Sequence, residues 1–152
     1  MKKLNRKGFT LIELLAIIVI LAIIMVVTIP SLLDVMDDSV ASQFKNSADA
    51  IEKWVGDQYA LASVGKGSTA FTDVCGKTGA TCTSETPVPL TGSDAAKGQA
   101  FMTAAGQKAG NYSEVKVQVK ANGRVCVQIK PNTTDGDFSG VSATDYTKSN
   151  GC

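Results

Sequence analysis

The sequence contains no histidine among its 152 residues, which removes the commonest general base and the commonest metal ligand of proteins. Its four cysteines form no Cys-x-x-Cys pair, so the usual spacing of a metal or redox site is missing as well. If the cysteines are paired with one another, nucleophile–base arrangements have no obvious members. The sequence therefore predicts no catalytic residue, no metal site and no cofactor, and it argues against an enzyme.

Polar side chains are missing from Leu14 to Val27, and acidic residues are missing before Glu13. As a helix, the 21 residues from Phe9 to Ile29 would be about 31 Å long, which is enough to cross a bilayer. Glu13 is the exception within this run, because a charge in hydrocarbon costs about 3 kcal/mol and usually marks a functional position. The run follows a short basic leader, which contains Lys2, Lys3, Arg6 and Lys7.

Glu13 needs a cation, and no basic side chain follows Lys7 within the apolar run. Cleavage between Gly8 and Phe9 would create one, the new α-amino group of Phe9. Gly8 suits a peptidase that requires a small residue before the cut, and the basic leader would hold that bond at the cytoplasmic face. An ordinary secretory signal would instead end in a small-x-small site, which residues 24–30 lack. A plain membrane anchor leaves Gly8 and Glu13 unexplained.

The stretch Lys7-Gly8-Phe9-Thr10-Leu11-Ile12-Glu13 resembles the core of the type IV prepilin signal, and Pro30 stands where pilins carry a helix-kinking proline. The resemblance covers about the first 55 residues, and beyond them it concerns layout alone. It implies a type IVa-like precursor that prepilin peptidase cuts after Gly8 and that is N-methylated at Phe9. It also implies that Glu13 meets the N-terminal amine of a neighbouring subunit during assembly.

The same resemblance implies a structural subunit of a type IV pilus, a homopolymer used for adhesion, twitching motility or DNA uptake. The precursor would be a single-pass protein of the cytoplasmic membrane, and the mature subunit would enter an extracellular filament. The implied partners are copies of the chain, prepilin peptidase, minor pilins and a membrane assembly platform driven by a cytoplasmic ATPase. The alternatives are a pseudopilin of a secretion or competence system, a DNA-capturing pilin and a membrane-anchored enzyme.

An α+β fold is predicted, in which one helix from about Phe9 to Ala62, kinked near Pro30, packs its second half on a small antiparallel sheet. This is the lollipop fold that the resemblance implies. The apolar residues of the second half recur in steps of three or four: Leu33, Met36, Val40, Phe44, Ala48, Ile51, Val55, Tyr59 and Ala62. The predicted segments are a leader (1–8), an apolar filament-core helix (9–30), an amphipathic helix (31–62), a loop with one short helix (63–113) and a sheet with a disulfide-bounded C-terminal region (114–152).

The region before the sheet is rich in Gly, Ser and Thr and is predicted to be mostly loop. Its short helix is expected to be capped by Ser93 and to end near Lys108, with Phe101, Met102 and Ala105 facing inward.

The hairpin from Glu114 to Lys130 is the most strongly patterned part of the head, which is the predicted globular part of the chain after the apolar helix (residues 31–152). A two-residue turn at Asn122-Gly123 would split its apolar residues between two faces. A three-residue loop with Gly123 in the left-handed position instead gives one wholly apolar face. That register pairs Val119 with Val125, Val117 with Val127 and Val115 with Ile129.

Four cysteines allow three pairings. A local Cys75–Cys82 bridge around a glycine-bearing turn is the simplest, and Cys126 faces outward in the predicted register, where a segment ending at Cys152 can cross the sheet. We favour Cys75–Cys82 with Cys126–Cys152, and the second bridge resembles one by which many pilins fasten their C-terminal region. One further strand is expected near residues 141–146.

The surface offers weaker candidates for binding. Asp135 and Asp137, with Asn132, have oxygen ligands for calcium but lack the spacing of an EF-hand loop, so a solvated turn is favoured. The outer hairpin face is basic, but no aromatic residue interleaves it, so nucleic-acid binding is weakly supported. Without the leader, 11 basic residues would face 14 acidic ones, a formal charge of −3, which does not describe a basic nucleic-acid binder. The remaining candidates are the basic residues Lys116, Lys120, Arg124 and Lys130, the acidic residues Asp34, Asp37 and Asp38, and glycosylation sequons at Asn111 and Asn132.

Overall fold

The computed structural model describes residues 10–141 and 146–152, and the chain forms two compact units that divide after Asp38. Helix α1 spans Leu11–Ser63 and includes Pro30. Its end confirms the predicted end at Ala62 to within one residue, whereas Phe9, the predicted start, lies outside the described residues. Helix α1 continues without a break through Pro30, and the kink expected there stays a prediction.

The described part of the first unit, residues 10–38, contains the apolar part of α1. Every side chain that the structure describes from Leu11 to Asp38 is exposed, and the large apolar ones leave about half or more of their surface open. The helix is long and apolar enough to cross a membrane. An isolated helix with apolar side chains all round has no core of its own, so this unit needs surroundings that cover it.

The second unit contains a four-stranded antiparallel sheet, which confirms the α+β class. Its strands follow the chain in the order β1-β2-β3-β4. Strands β2 and β3 are the long central pair, and β1 and β4 are two-residue edges. Their bounds are β1 Thr86–Pro87, β2 Tyr112–Val119, β3 Val125–Pro131 and β4 Thr147–Lys148.

The predicted hairpin register is confirmed at all three valine and isoleucine pairs. Gly123 has φ 79°, the left-handed conformation expected at the end of a three-residue loop. The loop closes through two hydrogen bonds of 2.8 Å, from the Gly123 N–H to the Lys120 carbonyl and from the Lys120 N–H to the Arg124 carbonyl. The apolar residues of both strands therefore share one face, which is buried.

That face and the second half of α1 belong to one hydrophobic core. The helical stripe is confirmed from Val40, which is partly buried, to Ala62, which is buried. The prediction was wrong for Met36, which is 62% exposed and belongs to the first unit, and the Leu33 side chain lies outside the described ones. The buried members of the stripe are Phe44, Ala48, Ile51, Val55 and Ala62.

The segment predicted to be mostly loop contains more structure than expected. Helix α2 (Thr69–Cys75) and a 3-10 turn (Ala80–Thr83) precede β1, and another 3-10 turn (Ala109–Asn111) precedes β2. The predicted short helix is present as α3, Ala95–Ala104, with Phe101 and Met102 buried as expected and Ala105 partly buried just after its end.

The predicted cap and end of α3 were wrong. Asp94 rather than Ser93 occupies the cap position, without a capping hydrogen bond, and pairs with Lys97 at 2.7 Å. The helix stops four residues before Lys108, because Gly106 takes the left-handed conformation. Helices α2 and α3 pack against Trp54 of α1. The centre of the Trp54 ring lies 4.8 Å from that of Phe101 and 6.4 Å from that of Phe71, and both pairs meet edge-on.

The predicted last strand, near residues 141–146, is tested only at its two ends. Val141 lies in a bend, residues 142–145 lie outside the described ones, and β4 begins immediately after Tyr146.

Candidate functional site

The N-terminal turn of α1 places Glu13 against Thr10. The Thr10 backbone N–H and hydroxyl both donate to the Glu13 carboxylate, at 2.8 and 2.7 Å, and the Glu13 N–H points back to the Thr10 hydroxyl at 3.4 Å. Thr10 is therefore the N-cap residue and Glu13 the third residue of a reciprocal capping box. The box gives the carboxylate two hydrogen bonds but no counter-charge.

Within the described residues of the first unit, 10–38, no side chain can neutralise Glu13, because they contain no Lys or Arg; the basic leader lies outside the described residues. Gly8 and Phe9, the predicted cleavage pair, lie outside the described residues. The carboxylate is thus a lone negative charge at one end of a helix that is apolar from Leu14 to Val27. A charge of this kind in hydrocarbon is stable only with a partner, so its partner must come from outside residues 10–38.

The C-terminal region is held by the predicted disulfides. Cys75 joins Cys82, and Cys126 joins Cys152, which confirms the favoured pairing. The first bridge lies in the hydrophobic core, whereas the second lies on the other side of the sheet, where Cys126 points outward as expected. Cys126 is nonetheless 5% exposed, since the C-terminal segment covers it.

Contacts with α1 hold the same segment, which we call the C-terminal clamp (residues 149–152). Asn150 donates its backbone and side-chain N–H groups to the Asp49 carboxylate at 2.8 and 2.9 Å. Gly151 donates its N–H to Glu52 at 2.8 Å. The Ser149 N–H donates to the Val127 carbonyl at 2.8 Å, and the Val127 N–H donates to the Ser149 hydroxyl at 2.9 Å. The clamp therefore ties the C-terminal region to both α1 and β3.

The outer hairpin face does contain an aromatic residue, so the prediction that none interleaves it was wrong. The ammonium groups of Lys116 and Lys130 lie 4.5 and 4.2 Å from the centre of the Tyr146 ring. A hydrogen bond with the same tyrosine lowers the pKa of the Glu114 carboxyl. The Lys116 ammonium, 3.2 Å from a Glu114 carboxylate oxygen, lowers this pKa further. Tyr146 reaches this face from the C-terminal region and holds that region there.

The other basic residues of this face are also engaged within the chain. Lys120 donates to the carbonyl oxygens of Gly151 and Cys152 at 3.2 and 2.9 Å, and Arg124 reaches the Asn150 carbonyl at 3.5 Å. The sheet face is therefore a docking surface for the protein's own C-terminal region rather than a free basic surface.

The Asp135–Asp137 turn is held by protein donors. Asn111 Nδ2 and Lys108 Nζ donate to the Asp137 carboxylate at 3.1 and 3.3 Å, and these bonds lower the pKa of Asp137. Asn132 uses its side-chain oxygen to accept the N–H groups of Thr134 and Asp135. Within the described residues, no group of three acidic or cysteine side chains is arranged to hold a metal ion.

A family model described as the prokaryotic N-terminal methylation motif matches residues 3–29. The chain carries the class III signal peptide motif of type IV pilins. This motif supports a member of the type IV pilin or pseudopilin family, a structural subunit rather than an enzyme, and it does not distinguish the two roles. No curated protein and no solved structure matches the chain.

The matched pilin motif ends at Ile29 and includes no residue of the head. What the head residues do is therefore argued from their contacts. Three sets of structural contacts in the head were missed from the sequence: Tyr146 on the basic face, the clamp carboxylates Asp49 and Glu52, and Trp54 beneath α2 and α3. None of these has a local sequence signal. The capping box was also missed, although Thr10-x-x-Glu13 is the recognised signature of one.

Proposed function

We propose that the protein is a subunit of a type IV pilus that polymerises through α1 into an extracellular filament. Its leader is cut after Gly8 by prepilin peptidase, and the new N-terminus at Phe9 is methylated. One observation carries the proposal: the helix that bears the pilin motif exposes apolar side chains on all sides from Leu14 to Val27.

Two kinds of surroundings cover such a helix without loss of hydrophobic free energy. The bilayer covers it in the precursor, and the helices of other subunits cover it in the filament. Both surroundings are apolar, so moving the helix from one to the other changes the free energy of burial little. Storage in the membrane and polymerisation outside it therefore use the same surface.

Glu13 supplies the selectivity that apolar packing lacks. In the filament its carboxylate meets the Phe9 amine of a neighbouring subunit, which provides the counter-charge that residues 10–38 do not contain. Pairing of opposite charges in an apolar environment depends strongly on distance and fixes the register of one helix against the next. Pro30 contributes by interrupting the hydrogen-bond ladder of α1, so that the helix can bend on assembly.

Mass spectrometry of filaments sheared from the cell surface tests the proposal. We expect a mature chain that begins at Phe9, carries one methyl group on its amine and contains both disulfides. An uncut chain in the membrane, with no filaments containing it, would overturn the proposal and favour a plain anchor.

A pseudopilin is the second candidate, since it would carry the same motif. The C-terminal disulfide between Cys126 and Cys152 favours a pilin by resemblance, because such a bridge is less typical of pseudopilins. Electron microscopy separates the two roles, since a pilin forms long surface filaments under the native expression level and a pseudopilin does not.

DNA capture is the third candidate and rests on the basic outer face. All four basic side chains of that face contact groups of the same chain, and this weighs against phosphate binding there. Binding of DNA fragments at two salt concentrations tests it, because each phosphate contact makes the affinity fall as salt rises. Salt-independent or absent binding would remove this candidate.

A further inference from the structure

The two disulfides lie in different surroundings. Cys75 and Cys82 are both 0% exposed and belong to the hydrophobic core. Cys126 is outside that core cluster and 5% exposed, and Cys152 is exposed. A disulfide is opened by a thiolate that reaches one of its sulfur atoms, so access decides which bridge reacts in the folded protein.

We propose that Cys152 is a thiol–disulfide exchange site, at which a small thiol or the thiolate of an oxidoreductase opens the Cys126–Cys152 bridge while the head stays folded. The incoming thiolate attacks Sγ of Cys152 and forms a new S–S bond there. The bond to Cys126 breaks, and Cys126 leaves as a thiolate and takes a proton from water. A second thiol then attacks the mixed disulfide, so that two thiols are oxidised to a disulfide and the protein bridge is reduced.

The surroundings of Cys152 are polar. The Lys120 ammonium lies 2.9 Å from the main-chain oxygen of Cys152, and the Asp49 and Glu52 carboxylates bind the two residues before it. Charges of both signs therefore lie near this bridge, and access rather than net charge selects it. The Ser149 hydroxyl lies 3.8 Å from the Cys152 sulfur and is a further polar group next to it. The core bridge between Cys75 and Cys82 has apolar surroundings instead, which disfavour the approach of a thiolate.

The clamp explains why the head can survive this opening. Asn150 and Gly151 remain bonded to Asp49 and Glu52, and Ser149 remains paired with Val127. These contacts do not depend on the disulfide, so they keep Cys152 close to Cys126 after reduction. The bridge can then re-form by the reverse exchange, without a search through the unfolded chain.

The test uses the full-length chain in detergent with reduced glutathione, without denaturant. Free thiols are trapped with iodoacetamide at successive times and located by peptide mass spectrometry. Trp54, the single tryptophan, packs between Phe71 and Phe101, so its emission reports whether the core stays intact. We expect Cys126–Cys152 to open at least about tenfold faster than Cys75–Cys82, with glutathione attached to Cys152 and Trp54 emission unchanged.

Four outcomes would each overturn the proposal. The two bridges could open at equal rates, or both could open together with a change in Trp54 emission. Glutathione could attach mainly to Cys126, or no bridge could open in the folded protein. A matched pair of variants gives an independent measurement with oxidised glutathione. The Cys152 thiol of Cys126→Ser is expected to react at least about tenfold faster than the Cys126 thiol of Cys152→Ser. Similar rates in the two variants would contradict the assignment of Cys152 as the attacked residue.

Discussion

Gly151 donates its backbone N–H to the Glu52 carboxylate over 2.8 Å, although the two residues are 99 positions apart in the chain. The approach is so close that a Cβ atom on residue 151 would collide with the Val125 carbonyl oxygen and lie 2.7 Å from the carboxylate. A glycine is therefore required at this point by space rather than by backbone conformation.

Gly151→Ala should destabilise the head by about 2–3 kcal/mol, because either the clamp or β3 must move to admit the methyl group. Denaturant unfolding of the full-length chain, followed by Trp54 emission, measures the effect. Gly140→Ala is the matched control, since among the described residues no atom beyond its chain neighbours lies within 4 Å of the added Cβ, and its stability should change by less than about 0.5 kcal/mol. Equal stability of the two variants would contradict this prediction, because it would mean that the clamp can move to admit the methyl group without loss of free energy.

Cys152→Ser should lower the stability of the head by about 2–5 kcal/mol, the usual effect of losing a native disulfide from a small domain. The bridge closes a segment of 26 positions, so its loss mainly frees the unfolded chain. The folded variant should keep its clamp contacts, and its Trp54 emission at low denaturant should match that of the parent. A free Cys152 thiol in untreated protein would refute the pairing itself.

Asp137→Asn should weaken the acid sensitivity of the head. Asn111 and Lys108 hold the pKa of Asp137 below its ordinary value near 3.9, so the ionised carboxylate stabilises the folded state above that value. This contribution is lost as the pH falls through the lowered pKa. Between about pH 4 and pH 2 the parent should lose more stability than the variant does. Asp135→Asn is the control for the loss of one carboxylate, since it removes an exposed acidic side chain from the same turn and leaves the Asn111 and Lys108 contacts of Asp137 in place.

Gly8→Val should leave the leader attached, because a branched side chain before the scissile bond obstructs the peptidase. The uncut chain should stay in the membrane, and no filaments should form. Immunoblotting of membrane fractions distinguishes the two lengths, and Gly8→Ala, which keeps a small residue, should still be processed. Normal processing of Gly8→Val would contradict the cleavage assignment.

Glu13→Val should insert and be cut normally but fail to assemble. Removing the carboxylate makes the helix more apolar, so insertion should improve. An incoming Phe9 amine would then be buried without its partner, and breaking a buried pair costs about 3–5 kcal/mol. Measuring the filament yield and the fraction of cleaved chain in the same cells shows whether assembly fails while cleavage continues. Glu13→Asp should assemble in part.

Co-expression with the parental chain sharpens this test. A Glu13→Val subunit still offers its own amine to a neighbour, so a small fraction of mutant subunits should enter mixed filaments. Normal filaments of Glu13→Val protein alone would remove the reason given for the carboxylate.

The sequence predicted the elements whose signal is periodic. The end of α1 follows from steps of three and four residues, and the register of β2 and β3 follows from the requirement that one face be apolar. Of the favoured disulfides, Cys75–Cys82 was predicted from its short local spacing, whereas Cys126–Cys152 was favoured by the outward position of Cys126 in that register and by the resemblance to pilins. The helical period and the hairpin register depend on residues that are close in the chain.

Apart from the capping box, which has a local signature, the elements and contacts that were missed are either very short or join distant residues. Helix α2 has seven residues and β1 and β4 have two each, which is too short for either period to be recognised. Tyr146 meets lysines on β2 and β3, and the clamp meets α1 about 100 positions earlier. Charged and polar partners of this kind have no fixed spacing, so no local pattern indicates them.

The two-residue edge strands affect how the heads behave when crowded. A polymer would hold many identical sheets close together, and long open edges would then invite main-chain pairing and aggregation. Here β1 ends in Pro87, which has no N–H to donate, and β4 is equally short. Within the described residues the sheet thus offers an incoming strand little backbone to pair with, so a polymer of this chain would form separate fibres rather than amyloid-like bundles.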